Sequence, residues 1–340
     1  DMVIQPLRCT QNPTTAEEYR RGWHPERIAS KHKDEHVMIV GAGPAGLEAA
    51  LSLGRRGYQV TLADAGSAAG GRALNESRLP GLSTWKRVID YRLGQIEKLK
   101  NIEIHLQSAL NAEQVIDFAS ELSVDRVALA TGARWRGDGI GRTHFKPIAR
   151  DARVQVLTPD DLYGDVPFAR QVVIYDDDYY YIASVLAEKL CTAGSRVTII
   201  TPAPEIAAWT VNTLEQGHIE KRLLSMGVHF VTKHTLEQIS AAGVVAKRIN
   251  SEQLQNIDCD YVVMVTSRKP RNQLFRELDA LEQQNARASF PRVTRIGDCL
   301  APSTIAAAVY EGHRYAREYG NEINLRCVPF KRENIELTRQ

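Results

Sequence analysis

Val37-Met38-Ile39-Val40-Gly41-Ala42-Gly43-Pro44-Ala45-Gly46 joins a wholly apolar run to the spacing G-x-G-x-x-G. A run without polar alternation fits a strand buried on both faces of a parallel sheet. The residues after it, 44–56, have helix-compatible apolar spacing. Strand, glycine loop and helix in that order form a dinucleotide-binding unit. Gly41 permits the tight turn, Gly43 lets a pyrophosphate approach the backbone, and Gly46 lets helix and sheet pack closely. Ala45 is counted with them, because the phosphate meets the N-terminus of this helix.

Outward from the motif, residues 58–62, 102–106 and 127–130 read as further strands, and 84–99 as a helix, which gives a βαβ domain. Asp64, just past the second strand, is the expected partner of the adenosine ribose hydroxyls. An acid there disfavours a ribose phosphate, so NAD, ADP or FAD is expected over NADP. Gly71, of Gly70-Gly71, extends the nucleotide cradle. Thr131 and Gly132, in Ala130-Thr131-Gly132-Ala133, form a crossover turn that supports the nucleotide. Asp298, after Gly297, is placed to accept hydrogen bonds from ribityl or ribose hydroxyls.

A second alternating unit begins at Gln171. Its strands are expected at 172–175, 197–200, 228–231 and 261–265, and its helices at 182–190 and 213–226. Ala193-Gly194-Ser195 repeats the architecture of Arg56-Gly57-Tyr58. Where a second phosphate loop belongs stand Asp176, Asp177 and Asp178, with no glycine nearby; three carboxylates repel a phosphate. Consecutive acids do not by themselves specify converging metal ligands either. A last apolar return at 293–298 and a helix over 303–319 complete the first domain after the second.

The expected fold class is therefore α/β, with two Rossmann-like three-layer domains of flavoprotein disulfide-reductase type, the second inserted in the first. The expected limits are a connector at 1–35 with a short helix capped by Thr14 or Thr15, a nucleotide domain at 36–165 plus 288–325, an inserted degenerate domain at 166–287, and a tail at 326–340.

The 340 residues are 43% hydrophobic, enough to bury a substantial core and to suggest about two or three domains. Basic and acidic side chains number 43 and 41, a net charge of +2 that gives no reason to expect nucleic-acid binding. No apolar run is long enough to cross a bilayer. The five cysteines are scattered without a C-x-x-C pair, so a reducing, cytoplasmic compartment is expected. Position 1 is Asp, which points to a processed product or a fragment of a longer chain. His24, His144 and His313 show no spacing that identifies acid–base catalysis. Trp135 and Trp209 are expected as packing anchors, and the stretch Arg134-Trp135-Arg136 on an exposed loop or lining a nucleotide or cluster interface.

Cys9-Thr10-Gln11-Asn12-Pro13-Thr14 and Glu17-Glu18-Tyr19-Arg20-Arg21-Gly22-Trp23-His24-Pro25-Glu26 resemble the trimethylamine dehydrogenase family, which includes dimethylamine and histamine dehydrogenases and N-methyl amino-acid demethylases. The resemblance continues through Gly41 to Gly46, Ala130 to Trp135, Leu186 to Leu190, Gly297-Asp298 and Glu311 to Arg314. It implies an FMN-containing barrel and a 4Fe-4S cluster outside this chain, with Cys9 as the last of four cluster cysteines in the complete parent. It implies ADP or FAD in the first nucleotide domain, electron-transfer flavoprotein as the electron acceptor, and a homo-oligomeric parent. Tyr180 matches the docking tyrosine for that acceptor and Tyr181 an adjacent aromatic position. The parent would oxidise an amine or N-methylamine, whereas the isolated chain would not. Two alternatives stay open: a separate nucleotide-binding accessory subunit that docks to an FMN-containing partner, and an FAD-dependent NAD(P)H reductase.

Overall fold

A computed structural model describes residues 7–151, 153–167, 169–285 and 290–320. The chain forms two compact units. One comprises Asp1–Leu74, Trp85–Ala133 and Pro270–Gln340 in their described parts; the other comprises Asn75–Thr84 and Arg134–Lys269.

The first unit holds a five-stranded, all-parallel sheet in the order Arg292–Arg295, Arg126–Leu129, His36–Val40, Gln59–Ala63, Ile102–His105. His36–Val40 is central, and its side chains alternate between two cores. Val37 and Ile39 pack with Leu47, Leu51 and Ala308 on one face. Met38 and Val40 pack with Val115, Ala119 and Leu278 on the other. The apolar run at 37–40 is thus the signature of a strand covered on both sides. Helices Pro44–Arg56, Arg87–Ile96 and Ile305–Glu318 lie on the first face, and Ala112–Glu121 and Gln273–Asn285 on the second.

In the second unit another parallel sheet runs His229–Thr232, Arg196–Thr201, Gln171–Asp176, Tyr261–Val265, Val156–Leu157. A separate sheet contains the antiparallel strands His234–Ser240, Gly243–Arg248 and Leu254–Ile257, with Ala149–Arg150 parallel to the first of them. The repeat read from the sequence extends to backbone detail. Gly57 and Gly194 both have φ +94° at the ends of Pro44–Arg56 and Ile182–Thr192. Their N–H groups donate three residues back, to Gly54 O at 2.9 Å and Cys191 O at 3.0 Å. The following N–H groups, of Tyr58 and Ser195, reach five residues back. Each helix therefore ends in the same left-handed stop that turns the chain into the next strand.

Several expectations are corrected. The division between the units falls after Ala133 and after Lys269, not at 165/166 and 287/288. Residues 134–165 go with the second unit because Ala149–Arg150 and Val156–Leu157 pair with its strands. Residues 270–285 go with the first because Leu278 of Gln273–Asn285 sits in its core. Residues 75–84, expected in the first domain, cluster with the second unit. The helix expected over 84–99 is a 3-10 turn, Ser83–Lys86, followed by Arg87–Ile96. The one expected over 213–226 is Ala208–Thr213 in 3-10 form followed by Gln216–Ser225. Neither Thr14 nor Thr15 caps the first helix, Glu18–Arg21, whose N-cap is Glu17; Thr14 instead donates from its hydroxyl to Asn12 Oδ1 at 2.8 Å. The tail at 326–340 lies outside the described residues.

Candidate nucleotide site and the degenerate second loop

Two of the three motif glycines are demanded by the fold itself. Gly41 has φ +112°, and a Cβ there would lie 2.4 Å from Ala130 O. A Cβ at Gly46 would lie 1.9 Å from Gly41 O. Gly43 differs: its φ is −74° and a Cβ would meet nothing within 4 Å, so its missing side chain leaves open space at the helix start. The first helical hydrogen bond runs from Leu47 N–H to Gly43 O at 2.9 Å. Pro44 has no N–H, which leaves those of Ala45 and Gly46 ahead of that bond, oriented as helix N-termini present donors to anions.

Around this opening the cradle closes. Gly70 N–H donates to Ala42 O at 2.7 Å, and a Cβ on Gly71, at φ +53°, would come 3.3 Å from Gly43 Cα. Asp64 Oδ2 accepts from Ala42 N–H at 2.6 Å and Oδ1 from Gly66 N–H at 2.7 Å. Each oxygen has a second lone pair, so these bonds orient the carboxylate without consuming it.

Other anticipated positions act less directly. The Ala45 side chain is packing material: a Cβ at Gly297 would lie 2.6 Å from Ala45 Cβ, and one at Gly312 would lie 2.1 Å from Ala45 O. Thr131 Oγ1 donates to Arg271 O at 2.6 Å and lies 3.1 Å from Cys299 Sγ, so its hydroxyl supports the turn. Gly132, at φ +75°, accepts from Arg271 N–H at 2.9 Å. Asp298 Oδ1 accepts from Ser303 N–H and Oδ2 meets Arg72 Nη2, both at 2.9 Å. The Arg72 pairing was not read from the sequence, although Gly70-Gly71-Arg72 carries the arginine directly after the cradle glycines.

In the second unit the end of strand Gln171–Asp176 is filled by protein. Asp177 is fully buried; its oxygens accept from Thr143 N–H at 2.8 Å, Thr143 Oγ1 at 2.8 Å and Tyr179 Oη at 2.9 Å. A Cβ at Gly141 would lie 2.4 Å from Asp177 Oδ2. Asp176 is also buried and accepts from Asp178 N–H at 3.2 Å and Tyr179 N–H at 2.9 Å. Burial outweighs those two donors and pushes its carboxyl up to about 7. Two of the three acids are thus turned inward. They brace a turn in which Tyr179 takes φ +66°.

That turn leads to Tyr180 and Tyr181, both half-buried, with ring centroids 4.5 Å apart and planes at 70°. Tyr181 Oη lies 3.1 Å from Thr213 Oγ1 and also bonds the Glu215 carboxylate. Burial first, then Glu215, pushes the Tyr181 phenol up to about 12. Beside them Trp209 N–H donates to Tyr179 O at 2.9 Å. Trp209, Val211 and Leu214 are exposed, so Trp209 is not the buried anchor expected of it.

Cys9 is half-buried and free, and its Sγ accepts from the N–H groups of Gln11 and Asn12, both at 3.4 Å. His313, expected as ordinary packing or surface, sits inside a charged cluster. Its Nδ1 is 2.8 Å from Glu48 Oε1 and its Nε2 accepts from Arg317 Nε at 3.0 Å.

The sequence profile described as "Pyridine nucleotide-disulphide oxidoreductase" matches residues 35–173 and 180–312. The chain belongs to that family. Histamine dehydrogenase from Rhizobium sp. 4-9 superposes with a TM-score of 0.93 at 44% identity, over 98% of this chain and 51% of that one. 6-Hydroxypseudooxynicotine amine oxidase from Pseudomonas geniculata N1 superposes at 0.86 with 40% identity, over 92% and 46%. Dimethylamine dehydrogenase of Hyphomicrobium sp. (strain x) is 36% identical over 96% of this chain and 47% of its own length. This chain therefore spans about half the length of these relatives. It is homologous to the histamine and dimethylamine dehydrogenase group, as the resemblance implied, and carries the FAD- or ADP-binding oxidoreductase fold. Among the described residues no helix is long and apolar enough to cross a membrane.

Proposed function

We propose that this chain is the nucleotide-binding half of an FMN- and 4Fe-4S-containing enzyme that oxidises an amine or N-methylamine and passes the electrons to electron-transfer flavoprotein. The observation that carries this reading is the superposition on histamine dehydrogenase over 98% of the chain at a TM-score of 0.93. Gly41, Gly43, Gly46 and Gly71 would hold the pyrophosphate of ADP or FAD, and Asp64 its ribose. FAD would add a redox centre there, whereas ADP would only order the fold.

Cys9 fits the role of one cluster ligand. Its free sulfur accepts two backbone N–H groups, the kind of donors that orient a cluster-ligating sulfur. The other ligands, and the FMN barrel, would come from outside the described residues, in cis or from a partner subunit, within a parent we take to be a homo-oligomer. When bound, such a cluster transfers single electrons. Reduction of the chain by NAD(P)H is disfavoured. Asp177, Thr143 and Gly141 occupy the end of the strand where its phosphate would need glycine and open backbone.

Tyr180, paired edge-on with Tyr181, is assigned to acceptor docking. Aromatic side chains with polar tips suit interface cores. In the complete enzyme, Tyr180→Ala is expected to slow reduction of electron-transfer flavoprotein at least tenfold while amine-dependent bleaching of the FMN stays unchanged. Equal acceptor kinetics in variant and wild type would remove Tyr180 from the docking surface.

A further inference from the structure

The start of helix Pro44–Arg56 has close neighbours at both Gly43 and Ala45. A Cβ at Gly71 would lie 3.3 Å from Gly43 Cα, and one at Gly297 would lie 2.6 Å from Ala45 Cβ. The residues that follow those neighbours, Arg72 and Asp298, pair with each other, Arg72 Nη2 lying 2.9 Å from Asp298 Oδ2. An ion pair therefore links the chain beside Gly43 to the chain beside Ala45, next to the opening that Gly43 leaves. The arginine side chain is 20% exposed and the aspartate 10%, so the pair is sheltered yet within reach of a ligand. Ser303 N–H donates to the other carboxylate oxygen at 2.9 Å, which fixes Asp298 to its own turn and makes it an anchor for the guanidinium.

Glycine backbone and a helix N-terminus attract phosphate, but they do not sense where a phosphate chain ends. Adenine nucleotides differ at that point. In ADP the second phosphate ends in a further ionised oxygen, whereas in FAD that oxygen is esterified to a ribityl chain whose hydroxyls need acceptors. We infer that Arg72, held by Asp298, makes the site select a nucleotide that ends at its second phosphate over one that continues into a ribityl chain. This rests on the nucleotide site of the proposed function. A guanidinium matches terminal phosphate oxygens with paired N–H groups. A terminal phosphate also carries a charge of roughly −1.5 to −2 at neutral pH, more than a diester does. The same ion pair works against FAD. Asp298 is the carboxylate expected to serve ribityl hydroxyls, but Arg72 answers its charge and Ser303 N–H engages its Oδ1. An ion-paired carboxylate is a weaker acceptor than a free one. Selection thus combines an attraction for one ligand with an obstacle to the other. AMP has no second phosphate and lies outside both effects.

The test is titration calorimetry of the complete, nucleotide-free protein with ADP, FAD and AMP. Wild type is expected to bind ADP about tenfold or more tightly than FAD, the size of effect that one charge-assisted hydrogen bond supplies. Arg72→Gln is expected to cut that ratio by about tenfold, chiefly by weakening ADP, while AMP affinity stays within about twofold. Asp298→Asn leaves the guanidinium without its counter-charge and is expected to move the ratio the other way, further towards ADP. A substitution that only loosened the fold would weaken all three nucleotides together. Such a parallel loss, an unchanged ratio in Arg72→Gln, or a wild type that prefers FAD overturns selection by Arg72 and leaves the nucleotide site standing. A wild type that takes up none of the three overturns the nucleotide site itself, and the inference with it.

Discussion

Gly43 and Gly46 stand three residues apart and need to be glycine for different reasons. At Gly46 a methyl group would press into Gly41 O at 1.9 Å, a clash with backbone that no rotamer relieves. Gly46→Ala is expected to lower stability by about 1–3 kcal/mol, or more if the loop cannot shift, as read by denaturant melts of the chain. Gly43 has an ordinary φ of −74° and open space where its Cβ would be. Gly43→Ala is expected to leave the melt within about 0.5 kcal/mol of wild type while releasing the bound nucleotide, which mass identification of the denatured supernatant reads directly. Loss of stability in Gly43→Ala without loss of nucleotide would assign that glycine to the fold alone. Both glycines were legible from the motif. Which of them serves the ligand is decided by the folded turn, which brings Gly41 O against Gly46 and leaves the space beside Gly43 open.

At the scale of the element, the turn between Gln171–Asp176 and Ile182–Thr192 replaces a phosphate loop with side chains. Asp176 Oδ1 accepts the N–H groups that a phosphate would otherwise approach. Its carboxyl is raised to about 7, chiefly by burial, far above the ordinary carboxylate value. Between those two pH values the native state holds a proton that the unfolded chain has released. Stability contributed here is therefore greatest at low pH and is lost as pH rises towards 7. Asp176→Asn keeps an oxygen acceptor for both donors and removes the titration. Denaturant unfolding is expected to show a gain for the variant over wild type of a few kcal/mol at pH 8, and a much smaller one at pH 5. A difference that does not change between those pH values would mean that Asp176 titrates normally. The acidic triplet was visible in the sequence as an obstacle to phosphate. That two of its members turn inward was not, because Thr143, the partner of Asp177, lies 34 residues away on a loop without periodicity.

Across the whole molecule, two compact units, each with its own hydrophobic packing, predict separable responses to ligand. Among the described residues, only the first unit carries an open glycine cradle. A nucleotide at one hundred times its dissociation constant stabilises the state that binds it by about 2.7 kcal/mol. Hydrogen exchange with saturating ADP is expected to slow the amides of Pro44–Arg56 and of the strands beside it. The amides of Arg196–Thr201 and Tyr261–Val265 are expected to keep their rates. Equal protection of both units would show that they unfold as one. The homologous dehydrogenases are about twice as long as this chain, so activity towards amines belongs to experiments on the complete protein.

Local pattern alone determined the alternation of strand and helix, the parallel sheets and the nucleotide motif. Runs such as 37–40 and 261–265 are apolar on both faces, and glycines at 41, 57 and 194 mark turns that only glycine makes without strain. Elements with weaker local signals needed the tertiary structure: helices Ala112–Glu121 and Gln273–Asn285 and the antiparallel strands between His234 and Ile257. The limits of the units were decided by pairing partners far along the chain, since two-residue strands such as Ala149–Arg150 have no period to read. The buried cluster of Glu48, Arg92 and His313 was decided in the same way. Its members lie on three helices, and charged side chains enter a core only where folding brings their counter-charges within hydrogen-bonding distance.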